Sequence, residues 1–385
     1  MSDAEVLFQI TTDHLDTGLR GYPVGYCRTS KVDPYKGVSY VGYPITELAR
    51  KEPIDIVHLM FFRELPTDEQ RASLEADLRA RRGIPADVLN TLSGLNRDGH
   101  PMAWLGTGLQ LLGLSTRTGD WMEDALNLVA RTPELVAAIF RVHSGLGAPI
   151  APSSDKGLIE DFVHMLGIPG ADEDKLAALL KVFYVLHVDH GGGNLSTFTG
   201  KAVASGHADI FTCMSAAMGA LSGPLHGGAN QACLEQLREV GTTDVDEVEA
   251  YVRNRLANKD KVFGFGHGVL RAEDPRATIQ YELGKELCPD DEIFQTALAM
   301  RAAAVKVLSE NPKISNPHPN VDAVSGSLLQ AGGLSDANYY TNLFGLARIT
   351  GIAAQIVDER VHARGGKGVP IYRPKYIAKD QAPRG

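Results

Sequence analysis

Along most of the chain apolar residues recur three and four positions apart, the spacing that lines one face of an α-helix. The pattern is clear in "DIVHLMFFREL", "DEQRASLEADLRARRG" and "LIEDFVHMLG". The segment "DEDKLAALLKVFYVLHVDH" (172–190) opens on acids, which favour a helix N-terminus, and ends at a glycine run. "DEIFQTALAMRAAAVKVLSEN" and "NYYTNLFGLARITGIAAQIVDERV" predict two long, strongly amphipathic helices. "DIFTCMSAAMGALSG" (209–223) is different, being rich in Ala, Ser and Gly and almost uncharged. It predicts a helix buried on most sides, able to pack closely against another helix or another subunit. Only "YPVGYCRTSKVDPYKGVSYVGYPI" mixes aromatic and β-branched residues with turn formers, which predicts a short hairpin. The chain therefore reads as mainly α, with β structure confined to the N-terminal region. It carries no internal repeat, low-complexity tract or flexible linker.

Composition narrows the function classes. The 385 residues, 44% hydrophobic and 22% charged, suit a globular protein with room for two domains. A net charge of −9 argues against nucleic-acid binding as the main task. No stretch of about 18 uninterrupted apolar residues is present, so no membrane span is expected. Cys27, Cys213, Cys233 and Cys288 are scattered without a C-x-x-C pair, which fits reduced thiols. The N-terminal residues are acidic and show no basic leader pattern, so a cytoplasmic location is expected.

Four short stretches carry the candidate chemistry. "VFGFGHGVLRAEDPR" (262–276) sets His267 between glycines and follows it with Arg271 and Arg276. Glycine permits close approach of backbone or ligand, and arginine presents a planar fork that suits carboxylate or phosphate. "DHGGGN" (189–194) places His190 at a helix end beside Asn194, and "SGPLHGGANQ" (222–231) places His226 between a Gly-Pro break and a Gly pair. "NPHPNVDAVSG" (316–326) carries Asp322 at the approach to a helix. A neutral imidazole near a helix N-terminus donates a hydrogen bond to a carbonyl or enolate, and a carboxylate suits proton abstraction beside a carbonyl. Arg271, Arg276, Arg348 and Arg373 suit anionic substrates. Each feature has a structural rival: Asp322 as an N-cap, Arg348 as an ion-pair partner inside an apolar helix, the histidines as helix caps. His187 and His190, three apart on one helix, leave a metal pair open, without an H-x-x-x-H or H-E-x-x-H context to support it.

"GFGHGVLRAEDPR" resembles the signature segment of citrate synthases. "DHGGGN", "GPLHGGANQ" and "PNVDAVSG" are similar to that family's other active-site segments, in the same order, and "GLRGYPVGYCRTSKVDPYKGVSYVGYPITELA" resembles its N-terminal region. The resemblance implies a mainly α, two-domain all-helical fold with a short N-terminal β hairpin. The large domain would comprise residues 1–227 plus 334–385, and a smaller one, 228–333, would close over the substrates. It implies a homodimer that condenses acetyl-CoA with oxaloacetate, with no cofactor and no metal. Asp322 would be the base, His226 the donor to the thioester oxygen, and His267 the donor to the oxaloacetate carbonyl. His190 and Asn194 would help hold oxaloacetate, and Arg276, Arg348 and the other subunit's Arg373 would clamp its carboxylates. Val262, Phe263, Gly264, Phe265 and Gly266 would lie along CoA, with Arg271 and Lys313 near its phosphates.

Two departures qualify this reading. Many bacterial relatives carry Arg where this chain has Gly268, whereas the mitochondrial type carries a small residue; "VHARGGKGVP" before Arg373 is longer than usual. The chain also lacks an obvious extra N-terminal domain of the kind linked to NADH-regulated hexamers. Three alternatives stay open: a 2-methylcitrate synthase using propionyl-CoA, a non-catalytic CoA- or dicarboxylate-binding paralogue, and a metal-dependent hydrolase.

Overall fold

The computed structural model describes residues 5–378. Among them are sixteen α-helices and one three-stranded antiparallel sheet, the mainly α fold that the periodicity predicts. The expected hairpin is strand β1 (Ser30–Asp33) paired with strand β2 (Gly37–Tyr40), in register from Ser30↔Tyr40 to Asp33↔Gly37. A two-residue strand β3 (Tyr43–Pro44) extends it to a meander. Asp33 closes the first turn by accepting the N–H groups of Tyr35 and Lys36 at 2.9 and 3.0 Å. Tyr40 is fully buried and donates to the Val185 carbonyl at 2.9 Å, which fastens the sheet to the end of helix Glu173–His187.

The periodic segments form helices Pro53–Phe62, Asp68–Ala80, Leu158–Leu166, Glu173–His187 and Glu292–Ser309. Thr67, Asp172 and Asp291 each accept a first-turn N–H, the capping that their residue types favour. The small-residue segment is helix Ile210–Leu221, which packs on helices Pro101–Thr116 and Leu195–Ser205. On its outer side Ser215, Gly219 and Ser222 join His100, Ala103 and Gly106 in lining an open groove of about 670 Å³.

One expectation is corrected. Helix Tyr340–Val357 is not amphipathic: every residue in it is buried except Phe344. It is enclosed by helices Pro53–Phe62, Trp121–Ser144, Glu173–His187, Leu195–Ser205 and Ile210–Leu221. A helix covered on all sides shows no polar face, and its Asn, Gln and Arg residues mimic one in the sequence. Gly345 and Gly351 admit the neighbours closely, and a Cβ at Gly351 would lie 2.0 Å from the Val188 carbonyl oxygen.

Helices Ala229–Val240, Val245–Ala257, Pro275–Leu287, Glu292–Ser309 and Asp322–Ala331 pack on one another, within the span expected for the smaller unit. The expected flanking unit, 1–227 with 334–385, reaches past the described residues at both ends. Gly351→Ala should therefore push the buried helix off Val188, costing about 1–3 kcal/mol as an overpacking change. A urea unfolding curve indistinguishable from that of the parent protein would refute this tight approach.

Candidate active site

The three candidate histidines come from three different loops, and the backbone orients two of them. His267 Nδ1 accepts the N–H groups of Val269 and Leu270, both at 3.0 Å. A ring nitrogen that accepts amide protons carries none, so the proton of neutral His267 resides on Nε2. His226 shows the reverse tautomer. Its Nε2 accepts the Ser196 N–H at 3.1 Å and lies 2.9 Å from the Ser196 hydroxyl, leaving the proton on Nδ1. Ser196 is in the first turn of helix Leu195–Ser205, so the positive end of that helix also disfavours an imidazolium here. Burial first, then nearby guanidinium charge, lowers His226 and His267 to about 4. His190 lies 5.2 Å from His267 between ring centroids, and its Nε2 is buried without a hydrogen-bond partner. Desolvation, then Arg276, hold it well below the ordinary histidine range.

Two guanidinium groups face this cluster from opposite elements. Arg276, at the start of helix Pro275–Leu287, is 3% exposed and bonded to Asp274 through Nε at 3.1 Å and Nη2 at 2.7 Å. Asp274 also caps that helix by accepting the Arg276 N–H at 3.0 Å. Arg348, on the buried helix, is 2% exposed and donates through Nε to the His187 carbonyl at 2.9 Å. Among the described residues no carboxylate lies within ion-pair distance of Arg348, which removes its reading as a structural ion-pair partner. Its cation lies 4.7 Å above the Phe344 ring, and burial lowers its pKa to about 10. A buried guanidinium left without a counter-ion is a site awaiting an anion.

Asp322 is the first residue of helix Asp322–Ala331 and caps nothing, so its N-cap reading fails as well. Its own N–H donates to Asn320 Oδ1 at 3.0 Å, and no protein donor holds its carboxylate among the described residues. Desolvation pushes its pKa up to about 6, against the opposing pull of Arg276. The 262–267 and 318–322 segments are laced together: Asn320 N donates to the Gly264 carbonyl at 2.8 Å, Asn320 Nδ2 to the Gly266 carbonyl at 2.9 Å, and Gly266 N to the His318 carbonyl at 3.0 Å. Gly264 and Gly266 take φ of +84° and +81°, and a Cβ at Gly264 would sit 2.7 Å from Ala323 Cα. Glycine there is what lets the His267 and Asp322 loops meet.

The remaining predicted residues divide. Val262, Phe263 and Phe265 are half-buried along the His267 loop, with the Phe263 backbone bridged by Gln236. Asn194 is fully committed: Oδ1 accepts from Thr197 N and Ser196 Oγ, and Nδ2 donates to the Gly191 carbonyl. Its side chain orders the 190–196 turn and is spent there, in place of the substrate contact expected of it. Arg271 folds back, its Nη1 donating to the Val269 and Leu270 carbonyls at 3.0 and 2.9 Å. Lys313 and Arg373 are exposed, and neither side chain touches the cluster of this chain. His187 is structural, with Nδ1 bonded to the Phe183 carbonyl at 2.7 Å and its ring stacked on Phe183.

Four contributors escape a sequence reading: Asp274, Ser196, Asn320 and Phe344. Asp274 alone has a local signal, since an acid before proline marks a helix start. The others owe their places to contacts across the fold.

A family model described as the C-terminal domain of citrate synthase matches residues 18–375. The mitochondrial citrate synthase of Daucus carota is 34% identical over 97% of this chain and 84% of its own length. The mitochondrial 2-methylcitrate synthase of Yarrowia lipolytica is also 34% identical, over 98% of this chain and 86% of its own. The solved citrate synthase of Thermotoga maritima is similar with a TM-score of 0.82 at 28% identity, covering 95% of this chain and 96% of that one. The carrot and yeast relatives are mitochondrial by name, which overturns the expected cytoplasmic location. Free cysteines distinguish a reducing from an oxidising compartment but not one reducing compartment from another.

The raised Asp322 carboxyl makes a signed prediction. A folded-state pKa near 6 against an ordinary 3.8 means that the native state binds this proton more tightly, so its ionisation subtracts stability as pH rises through that window. Asp322→Asn should be more stable than the parent well above pH 6, by on the order of 3 kcal/mol, and should lose that advantage below about pH 4. Urea midpoints at the two pH extremes that differ by the same amount would refute the burial of a charge here.

Proposed function

The chain belongs to the citrate synthase family, and from that premise we propose that it condenses acetyl-CoA with oxaloacetate and hydrolyses the product thioester, giving citrate and free CoA. The observation that carries the reading is the pairing of an unbonded, proton-seeking Asp322 with two imidazoles whose remaining protons sit on opposite types of ring nitrogen, beside two buried guanidinium groups.

In this reaction Asp322 takes a proton from the acetyl methyl group. The C–H electron pair becomes the enol double bond, and the thioester oxygen receives the Nδ1–H hydrogen bond of His226. The enol carbon then attacks the oxaloacetate carbonyl. The displaced carbonyl pair forms an alkoxide that takes the Nε2 proton of His267, and the proton that Asp322 removed from the methyl group makes good that loss, so both groups return to their starting charge. Water finally attacks the citryl thioester, the C–S bond breaks, and a proton of that water passes to the departing sulfur, so that CoA leaves as the thiol. A thioester α-proton is too weakly acidic for a carboxylate in water, so fixed donors and water exclusion are both required. Closure of residues 228–333 over the substrates would supply that exclusion.

Arg348 is the main anion-binding charge in this scheme, because Asp274 already offsets Arg276. His190 borders the oxaloacetate site. The reaction uses no metal and no organic cofactor, since CoA arrives as part of a substrate. The small-residue groove on helix Ile210–Leu221 suits a two-fold contact with a second copy, whose Arg373 would complete the clamp. A second reading is 2-methylcitrate synthesis from propionyl-CoA, favoured by the equal identity to the Yarrowia lipolytica relative.

Thiol release with oxaloacetate and each acyl-CoA tests these readings. A kcat/KM at least tenfold higher for acetyl-CoA supports citrate synthesis, the reverse preference supports the methylcitrate branch, and silence with both refutes condensation. Asp322→Ala should abolish turnover while oxaloacetate still binds; near-normal turnover would remove Asp322 as the base. Arg276→Ala should raise the oxaloacetate KM tenfold or more by removing a charge-assisted contact, and an unchanged KM would remove Arg276 from the clamp.

A further inference from the structure

We propose, building on the condensation above, that Phe344 is the specificity-determining wall of the acyl site and limits the nucleophile to a two-carbon acyl group. Helix Tyr340–Val357 is buried at every position except this one. The helix therefore opens to the outside at a single side chain, and that side chain is aromatic.

Its neighbours say where it opens. The Phe344 ring lies 4.7 Å below the Arg348 guanidinium carbon, 5.1 Å edge-on from the His187 ring and 6.5 Å edge-on from the His226 ring. Phe344 and Arg348 are four residues apart, hence on one helix face. In the proposed reaction His226 holds the thioester oxygen and Arg348 an oxaloacetate carboxylate. The carbon–carbon bond forms between the molecules that these two residues hold. A ring beside both side chains is thus a boundary of the space in which the nucleophilic carbon approaches the carbonyl. An acetyl enol carries only hydrogens on that carbon, whereas a propionyl enol carries a methyl group that needs room beside it. The alternative wall, Asp322, must stay in reach of the proton it removes and cannot recede.

The ring also supports the Arg348 cation, so shortening it will weaken oxaloacetate binding. That loss falls equally on reactions with either acyl-CoA and cancels in their ratio. One methylene in an apolar pocket is worth roughly 10–200-fold in discrimination, enough to be read in such a ratio.

The experiment measures kcat/KM for acetyl-CoA and propionyl-CoA, at saturating oxaloacetate, for the parent protein, Phe344→Leu and Phe344→Trp. The propionyl-to-acetyl ratio should rise at least tenfold in Phe344→Leu and fall below the parent value in Phe344→Trp. Phe344→Met replaces the leucine variant if that one does not fold. An active parent whose ratio stays within threefold in the smaller variant, with only the oxaloacetate KM rising, overturns the wall and leaves the condensation intact. A parent that prefers propionyl-CoA also overturns it, because the ring then excludes nothing. A parent silent with both acyl-CoAs overturns the underlying condensation instead.

Discussion

Two guanidinium groups buried to within 3% of complete enclosure, only one of them ion-paired, set the terms for the rest of this molecule. A charge removed from water is costly unless it is paired or hydrogen-bonded. Asp274 meets that requirement for Arg276. Arg348 has only the His187 carbonyl and the face of Phe344. Holding such a group in place needs a rigid support, and helix Tyr340–Val357 is walled in by seven other α-helices. Guanidinium charge also contributes to depressing the surrounding histidines, after burial itself: Arg348 acts on His226, and Arg276 is the larger charge at His190 and His267.

Neutral histidines are useful only if their protons point the right way. Backbone amides decide this at both positions, from within its own turn at His267 and from another element at His226. The turn after His267 aims two N–H groups at its own Nδ1, while the start of a separate helix aims one at His226 Nε2. Asn194 belongs to the same device, because it caps the helix whose second residue holds His226. Loss of an apparently remote cap would thus be felt as a tautomer change at a reacting group.

Much of this was legible in the chain itself. Three- and four-residue periodicity located the long helices, and the acids that open 172–190 marked one helix start. His190, His226, His267, Asp322, Arg276 and Arg348 stood out by local context, and the structure brings their loops and helices around one cluster. Helix Tyr340–Val357 was misread as amphipathic because its polar residues find partners inside the protein, as Gln355 does with Asp189 at 2.8 Å. Asn194 resembles a substrate ligand in sequence, yet its side-chain atoms are spent on the turn that it orders.

The sequence by itself determined the class of fold, the chemistry-bearing residue types and the family, because these depend on local spacing and on residue identity. Only the tertiary structure decided which nitrogen of His226 carries the proton, which arginine is left without a counter-charge, and that Phe344 is the one residue of the buried helix left partly exposed. Those outcomes depend on distances between segments far apart in the chain: Ser196 to His226, Arg348 to His187, Phe344 to His226. No periodicity records such distances. They arise when packing brings the segments together, and the low-dielectric interior then turns each distance into a free-energy difference.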